Sequence, residues 1–445
     1  MPAPFFAPPD ASRYALRKVS VPACLIPELE SDETLVAADL LLENGTIAAI
    51  ERAGTLPATL GPDLEGSMVL PGLLDCHTHL DKGHIWPRKP NPTGDSPGAA
   101  ASVRADREAR WHAGDVRRRM EFGLATAYAH GVVAIRTHLD SLAPQASISF
   151  PVFCEVRDRW ADRISLQASS IAPLDIFLTD EGRVLADIVA NAGGQLGCAT
   201  MFRAYGNVPR PPEFDRAMLN VLTLARERNL DIDLHVDETG DCEILTLLRI
   251  AQLAVKTGFP GKILCGHCCS LALQTDAKIA ETIDACSDAG IAIVSLPTVN
   301  MYLQDRHART TPRWRGVTLL HELRARGVRV AVAGDNVRDP FYAYGDHDVL
   351  DTFVQAVKIA QLDCPIGDWI ATVSTAPAEI MRLPGRGTIR AGSAADLIVL
   401  PARNYSELIS RNQSDRVVLR RGRAIDTTPP DYRLLDDLMQ PELVR

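Results

Sequence analysis

Several features that would place a chain quickly are missing from these 445 residues. No uninterrupted apolar run approaches the roughly 18 residues of a membrane span, so no membrane partner is expected. The opening segment, MPAPFFAPPDASRYALRK, carries proline and charge where a signal peptide needs a basic start and an apolar stretch. Basic residues number 47 against 56 acidic ones, a net charge of -9 with no basic patch or tail. That balance argues against nucleic acid as a partner. No G-x-G-x-x-G or P-loop is present, which removes the usual phosphate cradle. Among ten cysteines there is one C-x-x-C pair, Cys265 and Cys268 in CGHCC, and no second. A thiolate zinc site would lack half its ligands, and adjacent Cys268 and Cys269 cannot both face one site from a strand. Buried free thiols in a reducing compartment, the cytoplasm, are the better reading.

What the chain does have is rhythm. A hydrophobic fraction of 46% with 23% charged residues supports a sizeable core. From about residue 70, eight short apolar runs end in polar residues: MVLPGLLDCHTH, GVVAIRTHLD, RISLQASSIA, GQLGCATMF, LDIDLHVDE, KILCGHC, GIAIVSLP and VRVAVAGDN. Helical periodicity fills the intervals, as in PPEFDRAMLNVLTLARERN. Strands alternating with helices imply right-handed crossovers and a parallel sheet, and eight units suit an α/β fold of the (β/α)8 TIM-barrel type. A doubly wound open sheet is the alternative. Both ends of the chain read instead as short strands, with an Asn44-Gly45 turn signal in the first. We therefore expect residues 1–70 and 384–445 to join into a small β-sandwich and residues 71–383 to form the catalytic barrel. The turn-rich Pro87–Gly98 segment is expected as a loop covering the barrel mouth.

The polar residues fall at the C-terminal ends of the strands, where barrel catalytic groups converge. A strand buried on both faces tolerates His or Asp only when these are satisfied. Yet His77 and His79 end strand 1, His235, Asp237 and Glu238 end strand 5, His267 ends strand 6, and Asp335 and Asn336 end strand 8. With a side-chain period of two, His77 and His79 share a face and can bind one cation. His138 ends strand 2 and is read equally as a pocket residue or a satisfied core histidine. Lys82 either touches substrate or pairs with Asp81 at the rim.

The motifs PGLLDCHTHLD, DLHVDETGD, GHCC, AVAGDNVRDPFYAYG and GTIRAGSAADLIVL resemble the amidohydrolase superfamily. LPTVNMYLQDRH and RWRGVTLLHELRARGVRVAVAGDNVRDPFYAYG are similar to its cytosine deaminase branch, which includes triazine-degrading amidohydrolases. The resemblance implies that His77, His79, His235 and Asp335 hold one divalent metal ion, zinc or iron. No lysine stands in GQLGCATMFRAYG to bridge a second. Such an ion with an open position lowers the pKa of a bound water from about 15.7 toward 7. The hydroxide would attack a ring carbon bearing an amino group, Asp335 would take the water's proton, and ammonia would leave. A carboxyl must shuttle protons to the ring and the leaving amine. Strand alternation favours Asp237 for that role; the family's H-x-x-E pattern favours Glu238, which we adopt. His267 would contact the water or developing oxyanion.

The pocket departs from the cytosine pattern. Leu174 stands where the branch has a ring-reading glutamine, and Asn336 where it has a second acid. Gln304 remains as a candidate ring-edge reader, with Phe341, Tyr342 and Trp86 as stacking surfaces. The expected activity is deamination of an amino-substituted nitrogen heterocycle, a small-molecule substrate. Hydrolysis of an amide or of an N-alkylamino-triazine is the alternative, and a non-catalytic scaffold a remote one. Family likeness also makes a homo-oligomer an option.

Overall fold

The computed structural model describes residues 5–203 and 211–440. Chain contacts divide it into two compact units, Met1–Asp75 with Ala125–Ala134 and Asp348–Pro430, and Cys76–Leu124 with Ile135–His347 and Asp431–Arg445.

The first unit holds a seven-stranded sheet drawn from both chain ends. Its spatial order is Arg423–Ala424, Val417–Arg420, Leu397–Leu400, Met68–Pro71, Arg13–Pro22, Leu35–Glu43 and Thr46–Arg52. The joint is an antiparallel pairing in which Met68–Pro71 meets Leu397–Leu400, register Ile398 to Leu70. Asn44 and Gly45 both adopt positive φ, 50° and 84°, and close the hairpin that pairs Glu43 with Thr46. Two consecutive left-handed residues are what a type I′ turn demands, and Asn-Gly supplies them at little steric cost. Leu16, Leu40 and Val19 from one end share a core with Val69, Leu397 and Leu419, which makes the sheet fold on itself like a sandwich.

The eight expected barrel strands are all present: β1 (Leu73–Thr78), β2 (Val132–Asp140), β3 (Ser165–Ile171), β4 (Leu196–Ala199), β5 (Ile232–Val236), β6 (Ile263–His267), β7 (Ala292–Ser295) and β8 (Val330–Val332). Continuous ladders run β1-β2-β3 and β4-β5-β6-β7-β8. Two seams close the ring. Parallel bridges Ser169–Gln195 and Pro173–Ala199 join β3 to β4, and a Thr78–Asp335 bridge joins β1 to the end of β8. Every residue of β1, β2, β5, β6, β7 and β8 is buried, as parallel strands covered on both faces require. The covering helices show the matching periodicity: Phe214–Glu227 buries Phe214, Ala217, Met218, Val221, Leu222 and Ala225 on one stripe. The fold is a (β/α)8 TIM barrel accompanied by a small sandwich-like β unit. No described helix is long and apolar enough to cross a membrane.

Candidate active site

The polar strand ends meet in one cavity of about 320 Å³. The backbone explains how. At the β8 seam, the Asp335 N–H donates to His77 O (2.8 Å) and the His79 N–H donates to Asp335 O (3.3 Å). Residues 258 positions apart in sequence are thereby fixed in register. Asp335 itself takes a left-handed conformation, φ 60°, that turns the chain out of the strand. The His77 ring lies on Gly266 of β6, where a Cβ would stand 2.9 Å from Cε1, so only glycine leaves room for it.

Asp335 Oδ1 is 3.6 Å from His77 Nε2 and 3.2 Å from His79 Nε2, and His79 Nε2 is 3.3 Å from His235 Nε2. Ligand atoms about 2.1 Å from one tetrahedral cation stand ~3.4 Å from each other. The spacing fits. Burial, reinforced by neighbouring imidazoles, pushes His77 and His235 well below their ordinary value, and burial with the Lys82 charge does the same to His79. All three rings are therefore neutral, with lone pairs to offer. His235 Nδ1 is buried with no hydrogen-bond partner. These four side chains suit a divalent cation such as zinc or iron. The thiols do not: burial raises Cys265, Cys268 and Cys269 well above the ordinary range, which keeps them protonated.

The two acids after His235 do different things. Asp237 has φ 50° and spends its carboxylate on the helix Thr246–Thr257. It accepts the Thr246 N–H (3.0 Å), the Thr246 hydroxyl (2.6 Å) and the Leu247 N–H (3.0 Å). Glu238 then faces the centre, its Oε1 3.4 Å from His267 Nδ1. Burial pushes the Glu238 carboxyl up to about 7, against the opposing Lys82 charge and a hydrogen bond from Asn300. Such a group can both take and give a proton near neutral pH. Burial also holds His267 down at about 3, and its Nε2 is buried without a partner.

Lys82 lines the same cavity. Its Nζ is 3.0 Å from Asp140 Oδ1 and 5.2 Å from the centre of the Phe341 ring. Burial would strip its charge, but Asp140, Asp81 and Asp339 outweigh it and the ammonium persists. Asp140 is steadied in turn by Arg107 at 2.9 Å. Asn336 and Phe341 are in the wall, and the Asn336 amide donates to Asp339 Oδ2 at 2.7 Å. Leu174 is fully buried at the start of a 3-10 turn, and its N–H donates to the carbonyl of Met201 in the wall. Gln304 is buried beside Gly316, and its Oε1 lies close to Gly240, two residues after Glu238. Trp86 is partly buried, and its N–H donates to Arg338 O. His138 is buried with Nε2 3.0 Å from Asp233 Oδ1 and its ring 3.9 Å from that of His77.

Sequence reasoning missed some of the wall. Ser96, Pro97 and Ala100 reach it because the Pro87–Gly98 loop ends in a helix, capped when Asp95 accepts the Gly98 N–H. Met201 and Thr200 enter after β4; Ala204 to Gly206 of that motif lie outside the described residues. Asn300, which bridges Glu238 and His267, was also missed. A polar residue one turn beyond a strand end was the available signal.

Eight parallel strands with three imidazoles and a carboxylate at one mouth define a barrel enzyme with a site fit for a cation. The pattern of the amidohydrolase family matches residues 167–425. A pterin deaminase from Rhizobium rhizogenes is 52% identical over 439 residues, 98% of this chain and 99% of its own. The chain belongs to the amidohydrolase family. Two solved structures share its fold. A 5-methylcytosine deaminase from Klebsiella pneumoniae has a TM-score of 0.77 at 21% identity, covering 92% of this chain and 97% of its own. An N-isopropylammelide isopropylaminohydrolase from Burkholderia multivorans has 0.74 at 21%, covering 94% and 100%.

Proposed function

We propose that this chain is a hydrolytic deaminase of a pterin-type heterocycle, dependent on one divalent cation, zinc or iron. The observation that carries the reading is the 52% identity to a pterin deaminase along 98% of the chain. Site geometry agrees. His77, His79, His235 and Asp335 would hold the cation, which when bound lowers the pKa of a coordinated water and supplies positive charge at the reacting carbon.

The chain's own groups supply the proton traffic. Asp335 accepts the first proton of the attacking water. Glu238 delivers a proton to the ring nitrogen as the C–O bond forms and recovers one from the second O–H of the added water, while Asp335 passes the proton it accepted to the amine, so both groups return to their starting state. The C–N bond breaks, ammonia departs, and the ring keeps a carbonyl with a protonated neighbouring nitrogen, so water is consumed one for one. His267 donates toward the oxygen that develops charge. Lys82 can donate to a ring carbonyl while Phe341 covers the flat face. Cytosine is disfavoured because Leu174 stands where the cytosine branch has a ring-reading glutamine and the Asn336 amide is already engaged with Asp339.

The test is ammonia release from a panel of pterins, aminopyrimidines and aminotriazines, using protein loaded separately with zinc and with ferrous iron. Pterins should head the ranking. Silence across the panel from fully metallated protein rejects the reading, and alkylamine release instead of ammonia redirects it to N-dealkylation.

A further inference from the structure

Asn300 sits where a polar side chain needs a reason. The helix Pro297–Leu303 starts one residue after β7 ends, with proline at its first turn. Its neighbour Met301 is 44% exposed, whereas Asn300 is completely buried. A buried primary amide is costly unless its hydrogens find acceptors. Here they find two. Nδ2 is 2.9 Å from His267 Nδ1 and 3.3 Å from Glu238 Oε1.

An amide nitrogen only donates, so both of those atoms accept. Turned over, the amide would offer its carbonyl oxygen to Glu238, which could meet it only by committing its proton to Oε1, away from the reacting centre. With Nδ1 accepting, the hydrogen of the neutral His267 ring must sit on Nε2. That atom is buried, has no hydrogen-bond partner, and belongs to a ring lining the cavity beside Asp335. The ring then meets the reacting centre as a donor and cannot serve there as a base. The same amide holds one oxygen of Glu238 and leaves the other to move protons.

We infer that Asn300 is a positioning residue that fixes His267 as its Nε2–H tautomer and, with its second hydrogen, sets the orientation of Glu238. The consequence for turnover rests on the deaminase reading; the tautomer does not. This division of labour gives the two acidic and basic groups separate tasks, with Glu238 carrying protons and His267 stabilising charge.

The experiment is ¹⁵N NMR of the zinc-loaded full chain labelled at histidine, with the His267 signals assigned among eleven histidines through a His267→Gln variant. Wild type should show a protonated Nε2 and an unprotonated Nδ1. Asn300→Asp offers only acceptors, so it should transfer the hydrogen to Nδ1. It should lower kcat by about 10²-fold or more, as wrong-tautomer variants of other enzymes do, with KM changed less than about threefold. Asn300→Ser, which keeps a donor, should retain the wild-type tautomer and more activity than Asn300→Asp. A wild-type spectrum with the hydrogen on Nδ1 overturns the inference without any variant needing to fold. Unchanged ring signals and turnover in Asn300→Asp overturn it as well. If no substrate in the panel is deaminated, the spectrum still decides the tautomer, and only the deaminase reading fails.

Discussion

Arg119 is buried completely, and removing it tests whether the barrel rim is held from below. Its Nε and Nη2 lie 2.9 and 2.6 Å from Asp115 Oδ2. Its Nη1 donates to the carbonyl oxygens of Asp81 and Gly83, on either side of Lys82. Arg88 grips the same aspartate at 2.6 Å and reaches Asp106 at 2.7 Å. Burial alone would raise the Asp115 carboxyl, but Arg119 and Arg88 win and hold it at about 2, below the ordinary 3.8. At about 1.4 kcal/mol per pH unit, that difference is worth roughly 2.4 kcal/mol near neutral pH. The folded value lies below the unfolded one, so this contribution is present above about pH 4 and disappears as pH falls toward 2. Arg119→Met leaves two backbone carbonyls without their cation in a dry interior. Breaking a buried pair this way costs about 3–5 kcal/mol, and the surviving Arg88 grip puts the expected loss near the lower figure. Denaturant unfolding followed by tryptophan fluorescence reads it, since the Trp111 ring packs 5.0 Å from the Arg119 guanidinium. The deficit should shrink between pH 4 and pH 2, and amide exchange at Lys82 to His84 should speed up. A variant within about 1 kcal/mol of wild type at pH 7, with unchanged exchange in that loop, refutes the reasoning.

Three further outcomes are expected. Glu238→Gln should keep its metal by elemental analysis while turnover drops about 10²–10⁴-fold, the usual span for a lost proton carrier; full activity would remove Glu238 from the mechanism. His235→Ala should lose most of its bound metal on dialysis, whereas His138→Gln should retain it; equal retention by both would mean that the cation sits elsewhere. Lys82→Met should raise KM for the preferred pterin roughly tenfold or more, from about 1.5–3 kcal/mol for a hydrogen bond to a charged donor. An unchanged KM would leave Lys82 as a partner of Asp140 alone.

Much of this architecture is legible in the residues because buried parallel strands forbid idle polar groups. His77, His79, His235, His267 and Asp335 stand out as costly side chains at the ends of apolar runs; the last four line one cavity, and His77 is grouped with His79 and Asp335. The choice between Asp237 and Glu238 was not legible from alternation. A left-handed backbone at Asp237 ends the strand early, and the helix beginning at Thr246 claims the first carboxylate as its cap. Neither event has a local sequence signal. Asn300 and the Arg88–Asp115–Arg119 knot escape for a different reason. Asn300's partners lie 33 and 62 positions away. Asp115 and Arg119 are a helical i,i+4 pair, but the contacts that make them a knot reach Arg88, 27 positions from Asp115, and the Asp81 carbonyl, 38 from Arg119, and no periodicity connects those.

The left-handed turns at Asp237, His267 and Asp335 also bear on engineering. Each costs the folded backbone about 1–2 kcal/mol that glycine would not incur. A thermostability selection blind to chemistry would favour glycine at all three and would erase the centre while improving the scaffold. Effort toward a hardier enzyme belongs at the opposite rim of the barrel, where backbone comfort and chemistry do not compete.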